Sequence, residues 1–363
     1  MNSKELWLAT GMLAALAVFP GVDSVRGQER ARSNGDSPSP IEYGFKRPSL
    51  PLLRRGALKD VGSVSAALVE KLCPAPCRHP AADTPGNMIE VATESWSLQV
   101  LGDGSAVRFR DVEVSKRAHR LAKSYSDRAS AAALESEGRK FIEARLASVI
   151  ILGPGEELVP VRTEYRIEGG HNLKTHETVR SVTASHIVFG RTIRGTPVVG
   201  GGSTIVLTFA NDGSVESFQY DWPKYEEAMS TPRDVVGGQE ILRRVEKVIS
   251  MRVGIPSGNL TERKSRGEGA ATAIELSKNM TLQKLECGYY DPGYVARVPE
   301  AAVQAGCVYH AVSRGEHGIR AGFAGAVPGA VQIEADAGWP EAGALRRVGS
   351  GLEQIVPQSS RPD

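Results

Sequence analysis

The chain has 363 residues, with 44 lysines and arginines against 42 aspartates and glutamates. A net charge of +2 excludes the strong overall basic field of many nucleic-acid-binding proteins. Hydrophobic residues make up 41% and charged residues 24%, which excludes a wholly disordered chain and a polytopic membrane protein. The length fits two domains, and the 39 glycines favour a turn-rich fold.

Residues 1–27 have the pattern of a secretory signal peptide. Lys4 gives a weakly positive start, residues 6–18 are largely apolar, and a helix-breaking Pro-Gly pair follows. An uncleaved anchor is the alternative, but the apolar run is shorter than the ~20 residues that a membrane-spanning helix needs. We therefore predict cleavage between Gly27 and Gln28. The mature protein is expected outside the cell or in the envelope, with no membrane contact beyond the cleaved segment.

Four cysteines agree with export, because disulfides persist in oxidising compartments. The simplest pairing joins Cys73 to Cys77 and Cys287 to Cys307, although four cysteines permit three connectivities. Zinc binding is the alternative for the first pair, yet His79 is the only neighbouring ligand and no second pair follows at zinc-finger spacing. The sequence therefore predicts disulfides, with no metal and no cofactor.

Residues 28–85 are predicted to form a flexible linker. They combine Ser-Pro repeats with a basic, Pro-rich run at 46–55, and too few apolar groups are present to offset the entropy of ordering. Residues 341–363 are predicted to be a loose tail.

Residues 86–225 are predicted to form a first α+β module. Residues 89–101 alternate in part, as in a strand, before a glycine-rich turn. Apolar residues at steps of three and four predict a helix over 128–150. Residues 185–222 predict three antiparallel strands, although Arg191 interrupts the apolar face of the first.

Residues 231–340 are predicted to form a second module. Thr231 has the position of an N-cap and Pro232 that of the first helical residue. Strand-like segments follow around 272–276, 285–290 and 307–312. We therefore predict the fold class α+β, with two modules that each pack a helix on an antiparallel sheet.

The segments His186–Gly200, Ser203–Phe209 and Asn211–Val215 resemble the propeptide module of thermolysin- and fungalysin-type peptidases, and the related PepSY domain. In that family an aromatic-containing strand leads to a Gly-x-Pro-Val turn, an extended strand, an acidic-Gly hairpin and a return strand. The resemblance covers roughly residues 130–225, and the helix at 128–150 would be the helix that packs on the sheet. It implies a non-catalytic module that assists or inhibits a peptidase, or binds other extracellular partners.

One departure from the family pattern limits what the resemblance implies. The peptidases carry a His-Glu-x-x-His motif after the propeptide, and this chain has none. The nearest fragment, at residues 175–178, lacks the second histidine that a zinc site would need. The module would therefore serve a separate protein in trans.

Other catalytic spacings are also incomplete. Gly201–Ile205 fails the nucleophile-elbow pattern because its last residue is not glycine. Cys307 and His310 lie three residues apart, which on a strand sends their side chains to opposite faces. His171 and His176 flank a polar loop, where surface histidines are the alternative to metal ligands.

Two further pairs have open interpretations. Tyr289 and Tyr290 are either aromatic residues at a partner interface or partly buried sheet residues. Glu334 and Asp336 are either a carboxylate pair or part of a solvated edge, because acid–base work would need a pocket that shifts one pKa.

The expected function is binding without catalysis, through exposed sheet edges or a concave sheet face. The expected partner is an extracellular protein, with a peptidase as the specific candidate, and nucleic acid is not expected. The alternatives are a secreted hydrolase, in which substitution of His310 would abolish turnover, and a structural envelope protein.

Overall fold

The computed structural model describes most of the chain between residues 44 and 331. The described ranges are 44–56, 60–72, 88–102, 104–171, 178–228, 231–253, 261–263, 273–277, 280–294, 297, 301–315 and 318–331. The predicted signal peptide, the cleavage site at Gly27 and Gln28, the cysteines Cys73 and Cys77, and the predicted tail lie outside them.

Strands make up most of the regular structure. In chain order the strands are β1 (Ser49–Leu50), β2 (Leu53–Arg55), β3 (Met88–Ala92), β4 (Trp96–Leu101), β5 (Ala106–Asp111), β6 (Lys123–Ser124), β7 (Glu156–His171), β8 (Thr178–Ile193), β9 (Thr196–Gly200), β10 (Thr204–Ala210), β11 (Val215–Asp221), β12 (Tyr225–Glu227), β13 (Arg233–Asp234), β14 (Thr261–Arg263), β15 (Ala273–Ser277), β16 (Met280–Asp291), β17 (Gln304–Gly315) and β18 (Gly318–Pro328). The helices are α1 (Val61–Leu72), α2 (Val112–Ala118), α3 (Ala131–Phe141), which continues as a π-helix over Ile142–Leu146, and α4 (Gly238–Val253). Short 3₁₀ turns lie at His119–Leu121 and Tyr125–Asp127.

Fourteen of the described strands form one mixed sheet with the central order β14-β15-β16-β9-β8-β10-β11-β5-β4-β3. Strands β6 and β7 also pair with β8, while β17 pairs with β16 and β18. The pairs β1–β13 and β2–β12 are small separate sheets. The predicted α+β fold of two helix-on-sheet modules is therefore wrong, and the protein is mainly β.

The short strand β9 is the physical reason for this correction. It pairs antiparallel with the end of β8 and parallel with the end of β16, where Val198 lies opposite Tyr289. The two predicted modules thus contribute to a single sheet. The domain boundaries at 86–225 and 231–340 stay a prediction.

Two local predictions are corrected by the structure. Residues 49–55 and 61–72 of the predicted linker form β1, β2 and α1, because Leu53 and Leu68 supply almost fully buried side chains. The helix predicted from Thr231 begins only at Gly238, because Arg233–Asp234 pairs with β1 instead. The helix predicted at 128–150 is confirmed as α3 and its π-helical continuation.

Two large apolar clusters lie between helices and the sheet. The first packs α1, α3 and the π-helix against strands β3, β4, β5, β8, β10 and β11. The second packs α4 against β16, β17 and β18. Among the described residues, α2 packs against one end of the opposite face of strands β4, β5, β10 and β11.

Glycines allow β9 and the following turn to approach β16 at very short range. A Cβ atom on Gly200 would lie 2.1 Å from the carbonyl oxygen of Asp291, and one on Gly202 would lie 2.3 Å from its carboxyl carbon. A Cβ on Gly288 would lie 2.0 Å from the carbonyl oxygen of Pro197. A larger residue at Gly200 or Gly288 would require backbone movement, and one at Gly202 would displace the side chain of Asp291.

We expect Gly200→Ala to lower the free energy of unfolding by about 3 kcal/mol, because it adds a steric overlap to a positive φ of 108°. The matched control is Gly213→Ala, which has a φ of 85° but open space around its Cβ and should cost only about 1 kcal/mol. Urea unfolding of both variants measures the difference. Equal losses would show that the close contact does not matter.

Candidate functional site

Buried charged and polar side chains collect where β9 and β16 meet. They come from β2, β8, the turn before β10, the end of β11, β12, the end of β16 and the residues just after it. We call this group the junction cluster, and it consists of Arg55, Arg191, Ser203, Asp221, Tyr225, Asp291 and Arg297.

Asp291 is the centre of the junction cluster and is fully buried. Its carboxylate lies 3.6 Å from a guanidinium nitrogen of Arg55 and 3.5 Å from Nε of Arg297. It also accepts hydrogen bonds from the hydroxyl of Tyr225 at 2.5 Å and from the backbone N–H of Gly293 at 2.9 Å. Burial alone would raise the pKa of Asp291, but these two arginines and the hydrogen bonds hold it below its ordinary value.

Asp221 has fewer partners and behaves differently. It accepts a hydrogen bond from the backbone N–H of Tyr294 at 2.6 Å and forms a short ion pair with Arg297. Burial raises the pKa of Asp221 to about 6 and the nearby charge of Asp291 adds to the effect, while Arg297 opposes it. The pKa of Arg297 is raised, since the attraction of the two carboxylates outweighs its burial.

Arg191 interrupts the apolar face of β8. The structure shows which groups surround its buried guanidinium. Its guanidinium stacks 3.9 Å above the ring of Trp222 and 4.9 Å from that of Tyr225. It donates to the carbonyl oxygen of Pro223 at 2.8 Å and to Glu156 at 3.3 Å. Burial lowers its pKa despite these contacts.

The chain of hydrogen bonds from Ser203 through Tyr225 to Asp291 has the form of a proton relay. Ser203 donates to the Tyr225 hydroxyl at 3.1 Å and has a positive φ of 58°. Its side chain is fully buried, so a substrate has no access to the hydroxyl. Burial also raises the pKa of Tyr225 well above its usual value, which keeps the phenol protonated and unable to act as a base. The hydrogen bonds of Tyr225 instead join β12 to the turn before β10 and to the end of β16.

The disulfide between Cys287 and Cys307 is confirmed. The two residues lie directly opposite each other on β16 and β17, and Cys307 is fully buried. Cys307 is therefore not a free nucleophile. His310 lies on the same strand, opposite Lys284 and Ala324.

The remaining sequence-predicted candidates do not form a site in the described residues. Tyr289 and Tyr290 are buried sheet residues, with 2% and 8% exposure, so the aromatic interface is wrong. His176, Glu334 and Asp336 lie outside the described residues, as does the side chain of His171.

Sequence reasoning missed Arg55, Asp221 and Arg297, because they come from three distant segments with no common motif. Two signals were available. Arg191 breaks an apolar alternation, and the run Gly200–Gly202 indicates a close backbone approach. Neither signal identifies the partner segment.

A second candidate surface is the sheet face opposite the helices α1 and α3. On this face, two rows of side chains run across the paired strands β4, β5, β11, β10 and β8. We call these residues the open face. They are Ser97, Gln99, Arg108, Arg110, Ser217, Gln219, Val206, Thr208, Val188 and His186. One end is bounded by α2, where Arg110 contacts Ser115, and the other by Arg297, which contacts Ser105.

Most of the open face is polar and half-buried. Gln99, Arg108 and Gln219 lie side by side on β4, β5 and β11. Nδ1 of His186 lies 2.9 Å from the hydroxyl of Thr208, and burial, together with the charge of Arg166, lowers the pKa of this histidine. The open face can therefore offer hydrogen bonds and positive charge to a partner.

No protein-family model, curated protein or solved structure matches the chain. Within the described ranges, no group of three or more histidine, cysteine, aspartate or glutamate residues has the geometry of a metal site. None of the described helices is both long enough and apolar enough to cross a membrane.

We expect Arg297→Gln to lower the free energy of unfolding by about 3–5 kcal/mol, because it leaves Asp221 and Asp291 buried with too little compensating charge. The matched control is Arg243→Gln on α4, where the side chain is 74% exposed and the loss should stay within about 0.5 kcal/mol. Urea unfolding at neutral pH compares the two. A small loss at Arg297 would contradict a stabilising role of the junction cluster.

The raised pKa of Asp221 predicts a pH dependence with a defined sign. Between about pH 4 and pH 6 the folded state holds a proton on Asp221 that the unfolded state has released. The contribution of this group to stability is therefore fully present below about pH 4 and falls as pH rises to 6. Asp291 titrates below this window, since its pKa is lowered.

We expect the difference in unfolding free energy between the wild type and Asp221→Asn to decrease steadily over this pH window. Asp212→Asn is the control, because the pKa of Asp212 is lowered by hydrogen bonds from Ser214, which outweigh its slight burial. Its difference from the wild type should be flat over the same window. A flat difference for Asp221 would show that its carboxyl is already ionised at pH 4.

Proposed function

We propose that the chain is an exported, non-catalytic binding protein that acts on an extracellular peptidase in trans. The observation that carries this proposal is the contrast between the two candidate surfaces. The ionisable groups with unusual pKa values in the junction cluster are buried and engaged with one another. The polar side chains of the open face are mostly half-buried, and Arg110 is exposed.

The order of elements over residues 131–221 supports the peptidase as the partner. Helix α3 is followed by the β7–β8 hairpin, the Gly195 turn into β9, strand β10, the Asn211–Gly213 turn and the return strand β11. From β8 onward this is the order that the resemblance to peptidase propeptide modules implies, with α3 as the helix that packs on the sheet. The proposal extends that resemblance to a module that acts on a separate enzyme.

The open face is a better binding surface than the exposed edge strand β7. Strand β7 carries Pro160, two register shifts and exposed charges, and such features protect an edge from pairing with another chain. Strand addition along β7 is therefore disfavoured. A partner that binds to side chains of the open face needs no free strand edge.

The proposal is tested by capture with the mature protein, from Gln28 onward, in a native extracellular fraction. We expect a specific peptidase to bind and its hydrolysis rate to fall when purified protein is added. Ser217→Glu places a carboxylate directly opposite Arg110 at the centre of the open face and should abolish capture. Glu157→Arg, on the exposed edge of β7, is the matched control and should leave capture unchanged.

Three outcomes contradict parts of the proposal. A specific partner without peptidase activity would keep the binding function and reject the peptidase. Loss of capture by Glu157→Arg alone would move the binding surface to the edge strand. Turnover of a substrate by the purified protein, abolished in His310→Ala without unfolding, would replace the proposal with a hydrolase.

A further inference from the structure

Two arginines on the open face have no carboxylate partner among the described residues. Arg108 and Arg110 alternate on β5 and therefore lie on the same side of the sheet, with Cα atoms about 7 Å apart. Arg110 donates to the hydroxyl of Ser115 at 3.1 Å, and neither guanidinium forms an ion pair with a described carboxylate. Nε of Arg108 is buried and has no acceptor within this part of the chain, which is also true of Arg117 and Arg191. A partner can therefore bind only the terminal nitrogens of Arg108.

Three carboxylates near this face in the strand order are engaged elsewhere. Glu90 accepts a hydrogen bond from the amide of Gln99 at 3.2 Å. Glu164 pairs with Arg162 at 2.8 Å on the edge strand. Glu216 is held by Arg166 at 3.1 Å and by Ser115 at 3.0 Å. Among the described residues, the centre of the open face therefore holds two arginines without a direct ion pair, of which Arg110 is linked to Glu216 through Ser115.

A half-buried arginine with a missing acceptor loses hydration without a compensating hydrogen bond. A guanidinium is best satisfied by a carboxylate, which accepts two parallel N–H bonds in one plane. The side-chain amides of Gln99 and Gln219 lie on either side of Arg108 and can donate to or accept from a peptide backbone. The surroundings thus fit a polypeptide that carries acidic side chains.

We propose that Arg108 and Arg110 bind two carboxylates of an extended acidic segment of the partner. Side chains at alternate positions of an extended chain are also about 7 Å apart, which matches the spacing of the two arginines. The ligand class is therefore a polypeptide with acidic residues at alternate positions. This inference rests on the proposed function, because it assigns the recognition element of the same open face.

The test uses the mature protein and fluorescein-labelled peptides in a fluorescence-anisotropy titration. The probe alternates Glu and Thr. One control peptide has the same composition with its Glu residues in a single block, and a second alternates Lys and Thr. We expect the alternating Glu peptide to bind tightest, the block peptide about tenfold more weakly, and the Lys peptide not at all. Binding of the alternating Glu peptide should weaken as salt increases.

Single substitutions distinguish specific binding by Arg108 and Arg110 from a general effect of the protein's positive charge. We expect Arg108→Gln and Arg110→Gln each to weaken binding of the alternating peptide about tenfold, and Arg108→Lys to weaken it by less. Arg243→Gln removes the same charge on α4 and should bind like the wild type. Thermal unfolding and circular dichroism confirm that each variant is folded.

The results distinguish this inference from the proposed function. Wild-type affinity in both arginine variants, or equal binding of the alternating and block peptides, would overturn the inference. If the Arg108→Gln/Arg110→Gln double variant still captured the native partner, the inference would fail while the proposed function stood. If the alternating peptide bound through both arginines but no partner were captured, the proposed function would fail instead.

Discussion

The parallel contact between β9 and β16 is the constraint on which the rest of the architecture depends. It brings the backbone of Gly200 against the carbonyl of Asp291, where no side chain fits. Since β9 also pairs with β8, this contact turns two groups of antiparallel strands into one sheet. The buried charge of Asp291 lies at the end of this strand pair, opposite Gly200.

The buried charges at the contact between β9 and β16 favour one register of the two strands more than they increase the free energy of unfolding. Burying Asp291 with Arg55 and Arg297 costs a large desolvation free energy that ion pairing only offsets. Any shift of β16 along β9 would separate these partners and leave charges buried without compensation. We infer that the junction cluster specifies the register of a strand pair that is only a few residues long.

The hydrophobic periodicity of the sequence predicted the elements that depend on nearby residues. It did not predict the pairing of segments that are distant in the chain. Helix α3, the strands over 185–222 and the Cys287–Cys307 disulfide could be predicted, because each is set by nearby residues. The single sheet could not, since β9 and β16 are far apart in the chain and a parallel pair has no turn signal. Thr231 illustrates the same limit, because its capping pattern was overridden by the pairing of β13 with β1.

Arginines on two strands show why the site was harder to predict than the fold. Arg191 shares the parity of the buried residues of β8 and therefore had to find partners inside the protein, which Trp222 and Glu156 provide. Arg108 shares the parity of the open face on β5, where its neighbours are amides and its Nε lacks an acceptor. In the sequence both are single arginines within alternating strands. Only the three-dimensional pairing shows that the first guanidinium is held by Trp222, Pro223 and Glu156, although its Nε and one terminal nitrogen lack an acceptor. No described carboxylate pairs with the second guanidinium.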